Sequence, residues 1–387
     1  MIPYGKHKID SIDIKSVERS LKSQFITQGP LVKKFEKDLR NKVKSKYSIV
    51  VNSATSALHI SCLALEINKS KIVWTVPNTF VSSANAALFC GAKIDFVDID
   101  ERTFNISLKL LQKKLEKSKK EKKLPSLLII VHLGGNPTLS KEISKLSKTY
   151  KFKIIEDASH SLGASYYGKK VGCSSWSDIT VFSFHPVKMI TAAEGGAAMT
   201  NNKKIYKKLS LFSNHGITKN KKEFIFKNKK PNYYEQQVLG FNYRMNELQA
   251  ALGISQLKKL DKFFKERNLI ANYYKKKLIH PQLNFQEIDK NCLCSYHLFI
   301  IKITGKNKKK IRNEILFSLK RKKIYVGIHY HPVHLHPYYK KMGFSIGNYP
   351  KSEEYSNTAM SLPIYPGLKT NNLNIVIKNV LKILNDK

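Results

Sequence analysis

The sequence predicts an α/β protein: a mainly parallel sheet covered by helices, followed by a smaller second part. Three observations carry that expectation. Short β-branched runs alternate with longer helical patterns through the first two-thirds of the chain, and alternation at this spacing gives parallel strands joined by helical crossovers. Hydrophobic residues make up 42% of the 387 residues, with 19 Phe and 19 Tyr, enough for a large core. Beyond residue 242 the pattern changes to a long helical stretch and a second, shorter set of strands.

Taken in order, "YSIVV" (47–51) is a strand leading into the helix-like "ATSALHISCLALEI" (54–67). "KIVWTV" (71–76) precedes the helical "FVSSANAALFCG" (80–91), and "KIDFVDI" (93–99) follows as a strand. "LPSLLIIVH" (124–132) precedes a polar helix ending near Tyr150, and "FKIIED" (152–157) comes next. "DITVFSF" (178–184) and "GGAAMTN" (195–201) are strands separated by few residues. A Lys- and Tyr-rich excursion (217–240) shows no strong period, and 246–278 reads as one long helix. The second part holds "YHLFIIKI" (296–303), a basic helix around 308–322 and "IYVGIHYHPVHLHPYY" (324–339). The expected division is a large domain, 1–255, and a small α+β domain, 256–387.

Composition excludes several function classes. The longest apolar runs fall short of the roughly 18 residues that span a bilayer, and the start "MIPYGKHKID" lacks the apolar middle of a secretory signal. Five cysteines without a C-x-x-C pair suit reduced thiols in the cytoplasm and argue against zinc. The net charge of +41 raises nucleic acid or anionic lipid as partners. The basic residues are scattered, however, and "KKLEKSKKEKK" (113–123) interleaves Glu and Leu like a solvated helix face. No nucleic acid or membrane partner is therefore expected, although a positive surface would still attract an anionic small substrate.

Three strand ends carry polar groups that suit one chemistry. "SATSALH" (53–59) opens a helix, where backbone N–H groups with Thr55 and Ser56 suit a phosphate; an ordinary N-cap is the alternative. "EDASH" (156–160) puts Asp157 at a strand tip, either catalytic or a solvated cap. In "SFHPVK" (183–188), Lys188 lies just beyond another strand. A phosphate cradle, a carboxylate and a strand-end lysine are what pyridoxal 5'-phosphate requires: an imine-forming amine, an acid partner for the pyridine nitrogen and an anion site. Phe80 in "PNTF" (77–80) is either a ring-facing aromatic or a core one.

These motifs, with "TQGP" (27–30), "NSATSALH" (52–59), "IIEDASHSLGASY" (154–166), "VFSFHPVKMITAAEGGAAMTN" (181–201), "GFNYRMNELQAALG" (240–253), "HYHPVHLHPYY" (329–339) and "SLPIYP" (361–366), resemble the DegT/DnrJ/EryC1/StrS family of sugar aminotransferases. The resemblance implies the pyridoxal-phosphate-dependent transferase fold of type I, with a three-layer α/β/α large domain. It implies L-glutamate as donor and a UDP-linked 4-keto sugar as acceptor. "SFHPVK" is similar to the branch serving the pseudaminic acid route, whose neighbour serves 4-amino-4-deoxy-L-arabinose.

By the same resemblance Lys188 is the Schiff-base lysine, Asp157 pairs with the pyridine nitrogen and His160 lies close to the cofactor. Thr55, Ser56 and Ser183 hold the phosphate, and Asn242 reaches the phosphate of a neighbouring subunit, making a homodimer part of the site. Tyr4, Gln24, Phe25, Ile26, Thr27, Ala54, His329, Tyr330, His331 and Pro332 contact substrate. His185 either shapes the sugar pocket or packs structurally. "HLGGNP" (132–137) departs from the more usual His-Phe-Ala-Gly-Gln, so that loop's contacts do not carry over.

Some motifs point elsewhere and fail. His329, His331, His334 and His336 look like a metal cluster, but the run reads as strand or loop residues on alternating sides and no acid stands nearby in sequence. Gly195 and Gly196 are expected to serve a tight turn, and Cys292 and Cys294 to be free thiols. Related sugar dehydratases carry His where this chain has Lys188, and a basic nucleic-acid-binding protein would leave the ordered motifs unexplained.

Overall fold

In the computed structural model, which describes residues 1–226 and 230–386, a seven-stranded sheet forms the centre. Its strands are β1 (Tyr47–Val51), β2 (Ile72–Thr75), β3 (Lys93–Phe96), β4 (Leu127–Val131), β5 (Lys153–Asp157), β6 (Ile179–Ser183) and β7 (Gly196–Thr200). The spatial order is β1-β7-β6-β5-β4-β2-β3. From β2 to β6 every pairing is parallel, and β7 runs antiparallel to both β1 and β6.

Helices cover both faces. On β4, Leu127 and Ile129 join one core cluster while Leu128 and Ile130 join another, the two-residue alternation of a strand buried on both sides. The continuous apolar run "LLIIV" is the sequence form of that burial. Helix Ala54–Ala64, rich in small residues, lies almost wholly buried against this sheet. Parallel packing brings the carboxyl ends of β1, β5 and β6 to one edge, where ligands bind in such sheets.

The stretch expected as one helix is two, Glu247–Leu257 and Leu260–Lys277, separated at Lys258 and Lys259. The second begins among large-sheet core residues (Leu260, Phe263) and ends in a separate core (Ile270, Ala271, Tyr274). That separate core packs on a three-stranded antiparallel sheet, in the order β8 (Leu283–Phe285), β9 (Phe299–Ile303), β10 (Ala359–Leu362). Ile2 belongs to it, so the N-terminal segment crosses onto the C-terminal part.

Residues 324–339 form no long strand. They make single bridges at Ile324 and Gly327, a 3-10 turn Val333–Leu335 and a short helix Pro337–Lys340, because Pro332 and Pro337 remove backbone donors. Two N-terminal helices, Ser11–Leu21 and Pro30–Val43, also escape the sequence reading. Part of the 217–240 excursion, residues 227–229, lies outside the described residues. Among those described, no helix is long and apolar enough to cross a membrane.

Candidate active site

At the carboxyl edge of the sheet a cavity of about 400 Å³ opens between the two parts of the chain. Its floor comes from three strand ends: Ser53, Ala54 and Thr55 after β1, Asp157, Ser159 and His160 at and after β5, and Ser183 with Lys188 at and after β6. Tyr4, His297, His329 and Tyr330 close it from the other side.

Lys188 is held in a loop pinned at its base. Phe184 N–H donates to the Gly195 carbonyl (2.8 Å), Ala192 N–H to the Phe184 carbonyl (2.9 Å) and Lys188 N–H to the His185 carbonyl (2.9 Å). Burial pushes the Lys188 ammonium down to about 8, against the pull of the Asp157 carboxylate. An amine so placed is a better nucleophile near neutral pH than any surface lysine.

The Asp157 carboxylate is buried and oriented by three donors. Oδ1 accepts from Ser159 N (3.1 Å) and Ser159 Oγ (2.6 Å), and Oδ2 accepts from Ser83 Oγ (2.6 Å). Ser83 is in turn within 2.8 Å of Thr79 Oγ1. Asp157 is thus a fixed, desolvated group and not the solvated strand-end cap that was the alternative. His160, beside it, accepts from Gly134 N–H at Nδ1 (3.3 Å), which assigns the proton of the neutral ring to Nε2, facing Tyr330 Oη at 3.2 Å. Burial first, then the charge of Lys188, keeps His160 well below the usual imidazole range. The same causes, in the same order, push His329 down to about 4. The imidazoles around the lysine are therefore neutral.

The loop "HLGGNP" makes these contacts possible. Gly134 and Gly135 have φ of 70° and 94°, and a side chain at Gly135 would fall 2.1 Å from Ser295 Oγ. Only glycine fits that turn.

At the helix start, Ser53 is the N-cap, accepting from Ser56 N (3.1 Å). The Ser56 hydroxyl donates to Asn52 Oδ1 (2.7 Å) and lies off the cavity wall. Gly196 fills a different role from the tight turn expected of it. It has ordinary φ and lies in β7, where a Cβ would come 2.5 Å from the Ser53 carbonyl and 2.6 Å from Ala54 N. Its lack of a side chain lets β7 lie against the helix start, so the cradle keeps its depth. Gly195 likewise serves close packing, against Met245 and Phe184.

Other sequence-derived residues divide cleanly. Phe80 is 57% exposed and lines the cavity, so it is not the core aromatic of the alternative reading. His185 also lines it, exposed near the mouth beside Glu194. Gln24, Phe25, Ile26, Thr27 and Asn242 are exposed and stand off the cavity, as does His331; Pro332 is buried but does not reach it. The histidine run separates in part: His329 meets Ser361 Oγ (2.9 Å), but His331 and His336 stand together, ring centroids 5.0 Å apart. His334, however, meets Glu353 Oε1 at 3.0 Å. The acid that is missing nearby in sequence comes from a later helix, Pro350–Thr358. Among the described residues no group of His, Cys, Asp or Glu could hold a metal ion. Cys292 and Cys294 are free thiols.

Sequence reasoning passed over Ser83, Ser159, Glu194 and His297. Ser159 was visible inside "EDASH". His297 was visible only as a lone His before a strand, yet its ring centroid lies 4.4 Å from that of His160 and its buried Nδ1 has no hydrogen-bond partner among the described residues.

Nearly the whole chain, residues 7–381, matches the model of the DegT/DnrJ/EryC1/StrS aminotransferase family. The chain belongs to that family. Members depend on pyridoxal phosphate, and this chain is a sugar aminotransferase of fold type I. It is 37% identical over 390 residues to the UDP-4-amino-4,6-dideoxy-N-acetyl-beta-L-altrosamine transaminase of Campylobacter jejuni, covering 99% of this chain and 98% of that one. Among solved structures it is similar to Helicobacter pylori PseC, an aminotransferase of pseudaminic acid biosynthesis, with a TM-score of 0.90, 29% identity and 100% of both chains covered. The sugar aminotransferase Spr1654 of Streptococcus pneumoniae, a putative one by its description, in its PLP form aligns with a TM-score of 0.88 and 26% identity over 100% of this chain and 99% of that one. The residues of this aminotransferase fit the cofactor: a desolvated amine, an oriented carboxylate, and a helix-start cradle that a Cβ at Gly196 would fill.

Proposed function

We propose that this aminotransferase converts a UDP-linked 2-acetamido-2,6-dideoxy-β-L-arabino 4-ketose to its 4-amino sugar, with L-glutamate as donor, on the route to pseudaminic acid. The cavity in which Lys188 and Asp157 face a cradle of Ser53, Ala54, Thr55 and Ser183 carries the reading. Its specificity rests on the full-length likeness to the Campylobacter jejuni transaminase.

Lys188 would bind pyridoxal phosphate covalently, Asp157 would face its ring nitrogen, and the helix start with Thr55 and Ser183 would take its phosphate. When bound, the cofactor supplies an electron sink for the carbon that loses its proton. The chain's own part is to place and protonate. Lys188, its ammonium brought down to about 8 by burial, takes in its neutral form a proton from the donor's α-carbon and returns one on the other side of the reaction. Asp157, held by Ser83 and Ser159, keeps a negative charge where the ring nitrogen must stay protonated. Phe80 would cover one ring face. Tyr4, His185 and His329 stand where a sugar would enter, and neutral imidazoles there can donate to hydroxyls without trapping the proton.

Gln24 to Thr27 and Asn242 are exposed on a single chain. Their family roles are met in a homodimer whose sites are shared, with Asn242 reaching the partner's phosphate. A purified, cofactor-loaded chain incubated with L-glutamate should release 2-oxoglutarate in a single turnover, and the aminated enzyme should then consume the 4-ketose. A chain that releases no 2-oxoglutarate, or a loaded one that aminates no UDP 4-ketose, defeats the proposal.

A further inference from the structure

Arg267, midway along Leu260–Lys277, is only 1% exposed. Among the described residues no nearby acid acts on it; desolvation alone lowers it, to about 10, so it is charged at neutral pH. A buried cation without a counter-ion is among the costliest groups a fold can keep. Among the described residues its hydrogen bonds go to backbone carbonyls, and its buried Nε has no partner. Nη1 donates to Tyr296 (3.3 Å), His297 (3.1 Å) and Ile364 (2.9 Å), and Nη2 to Val187 (3.5 Å).

Those carbonyls belong to three separate walls of the active-site cavity. Val187 lines it and directly precedes Lys188. His297 lines it and packs on His160. Ile364 donates its own N–H to the Tyr4 carbonyl (3.0 Å), and Tyr4 lines it as well. One guanidinium therefore connects the lysine loop of the large sheet, the entry to β9 and the N-terminal segment. A planar fork with five donors can serve carbonyls from several directions at once, and an ammonium at the same place cannot.

We infer that Arg267 is a positioning residue for the transamination, holding the Lys188 loop, His297 and the Tyr4 segment in one register around the cavity. The inference rests on the reading of Lys188 as the reactive lysine. It explains why a bare charge is kept in the interior: carbonyl dipoles from three elements take the place of the missing carboxylate at Nη1 and Nη2, and only their native arrangement brings them there.

The test uses the full-length chain. In R267Q, loaded with cofactor, kcat should fall about 100-fold, the size of effect a small misplacement of reacting groups produces, with each KM changed less than about threefold. In the cofactor-free chain, amide exchange across residues 186–190 should rise about tenfold. R267K, which keeps the charge without the fork, should recover only part of the rate. Y274F is the control, since it removes a buried bond to the Pro363 carbonyl (3.0 Å) in the adjoining core; its kcat and its 186–190 exchange should match wild type. Exchange at 186–190 unchanged in R267Q, or losses in R267Q and Y274F that merely track their Tm, would overturn the inference. Should R267Q fail to fold, R267K decides on the same exchange readout. A wild-type chain without transaminase activity, but with the exchange rise in R267Q, would sink the functional reading and leave the positioning role standing.

Discussion

The floor of the cavity and the outlying segments expected to serve the site are built in opposite ways. On the floor every group has its place within one chain: Asp157 has three donors, His160 has a backbone partner and the Lys188 loop is closed by its own hydrogen bonds. The segment Gln24 to Thr27, off the cavity, is exposed, with Phe25 47% and Ile26 54% accessible, and Asn242 stands on the surface, bridged to Asn214. Large apolar side chains left in water beside a finished pocket are surfaces waiting for a cover. The contrast teaches that the reactive groups are set inside one chain, whereas the proposed roles of Gln24 to Thr27 and Asn242 need a second chain to be met.

The largest expected effect breaks the floor. Lys188→Ala should lower turnover by about 10⁴-fold or more, since it removes both nucleophile and proton carrier. It should still bind cofactor through the cradle and Asp157. Borohydride should fix cofactor to wild type at residue 188 alone; labelling at another lysine, measured by peptide mass, would refute the assignment. Asp157→Asn keeps the shape and removes the charge. Its rate should fall about 10²–10³-fold, the usual size for one preorganised electrostatic group, with modest loss of cofactor on dialysis.

The pH profile sharpens the floor further. Burial lowers the Lys188 pKa from its ordinary value to about 8, so the neutral amine is lost as pH falls through about 8. Covalent capture of pyridoxal phosphate by the cofactor-free chain, followed by the visible absorption of the imine, should therefore slow as pH drops through that value. A rate that keeps rising to the ordinary lysine range near 10.5 would show a solvated lysine instead.

For the outlying Asn242 the test is complementation. Lys188→Ala mixed with a severely impaired Asn242 variant should regain activity, because one site of each heterodimer then has both wild-type residues. Heterodimers that form, shown by differential tagging, without any recovery would place Asn242 in cis.

How much of this was legible follows the same division. The β-branched runs and the strand-end motifs predicted all seven central strands; the inner ones, such as β4, are buried on both faces and have an apolar signature no surface element shares. Asp157, Lys188 and Thr55 were legible as strand-end polar residues. Ser83 and His297 were not, since their importance lies in whom they face across the fold, 74 residues away in the case of Ser83 and Asp157. The helix Ser11–Leu21 was missed although Asp10 and Asp13 form a capping box, because its exposed isoleucines blur the apolar stripe. The break at Lys258 and Lys259 was invisible because lysine carries no stop signal.

The smallest expected effect concerns the sugar itself. Tyr4, His185 and His329 line the side of the cavity away from the cradle, where an acceptor would enter. The acetamido 6-deoxy ketose offers them two groups, an acetamide and a 6-methyl, that the pentose 4-ketose of the arabinose route lacks. A methyl or a single polar contact is worth about 1–3 kcal/mol in discrimination, roughly ten- to two-hundredfold each. The acetamido hexose should therefore show the higher kcat/KM, measured for both acceptors on the same aminated enzyme, with an axial amine at carbon 4 by NMR. His185→Ala should narrow the gap while leaving the glutamate half-reaction unchanged if His185 shapes the sugar pocket, and should leave the gap intact if it only packs. A preference for the pentose, or an equatorial amine, would move this chain to another sugar. The floor would be untouched, because neither Lys188 nor Asp157 has any means of telling the two ketoses apart.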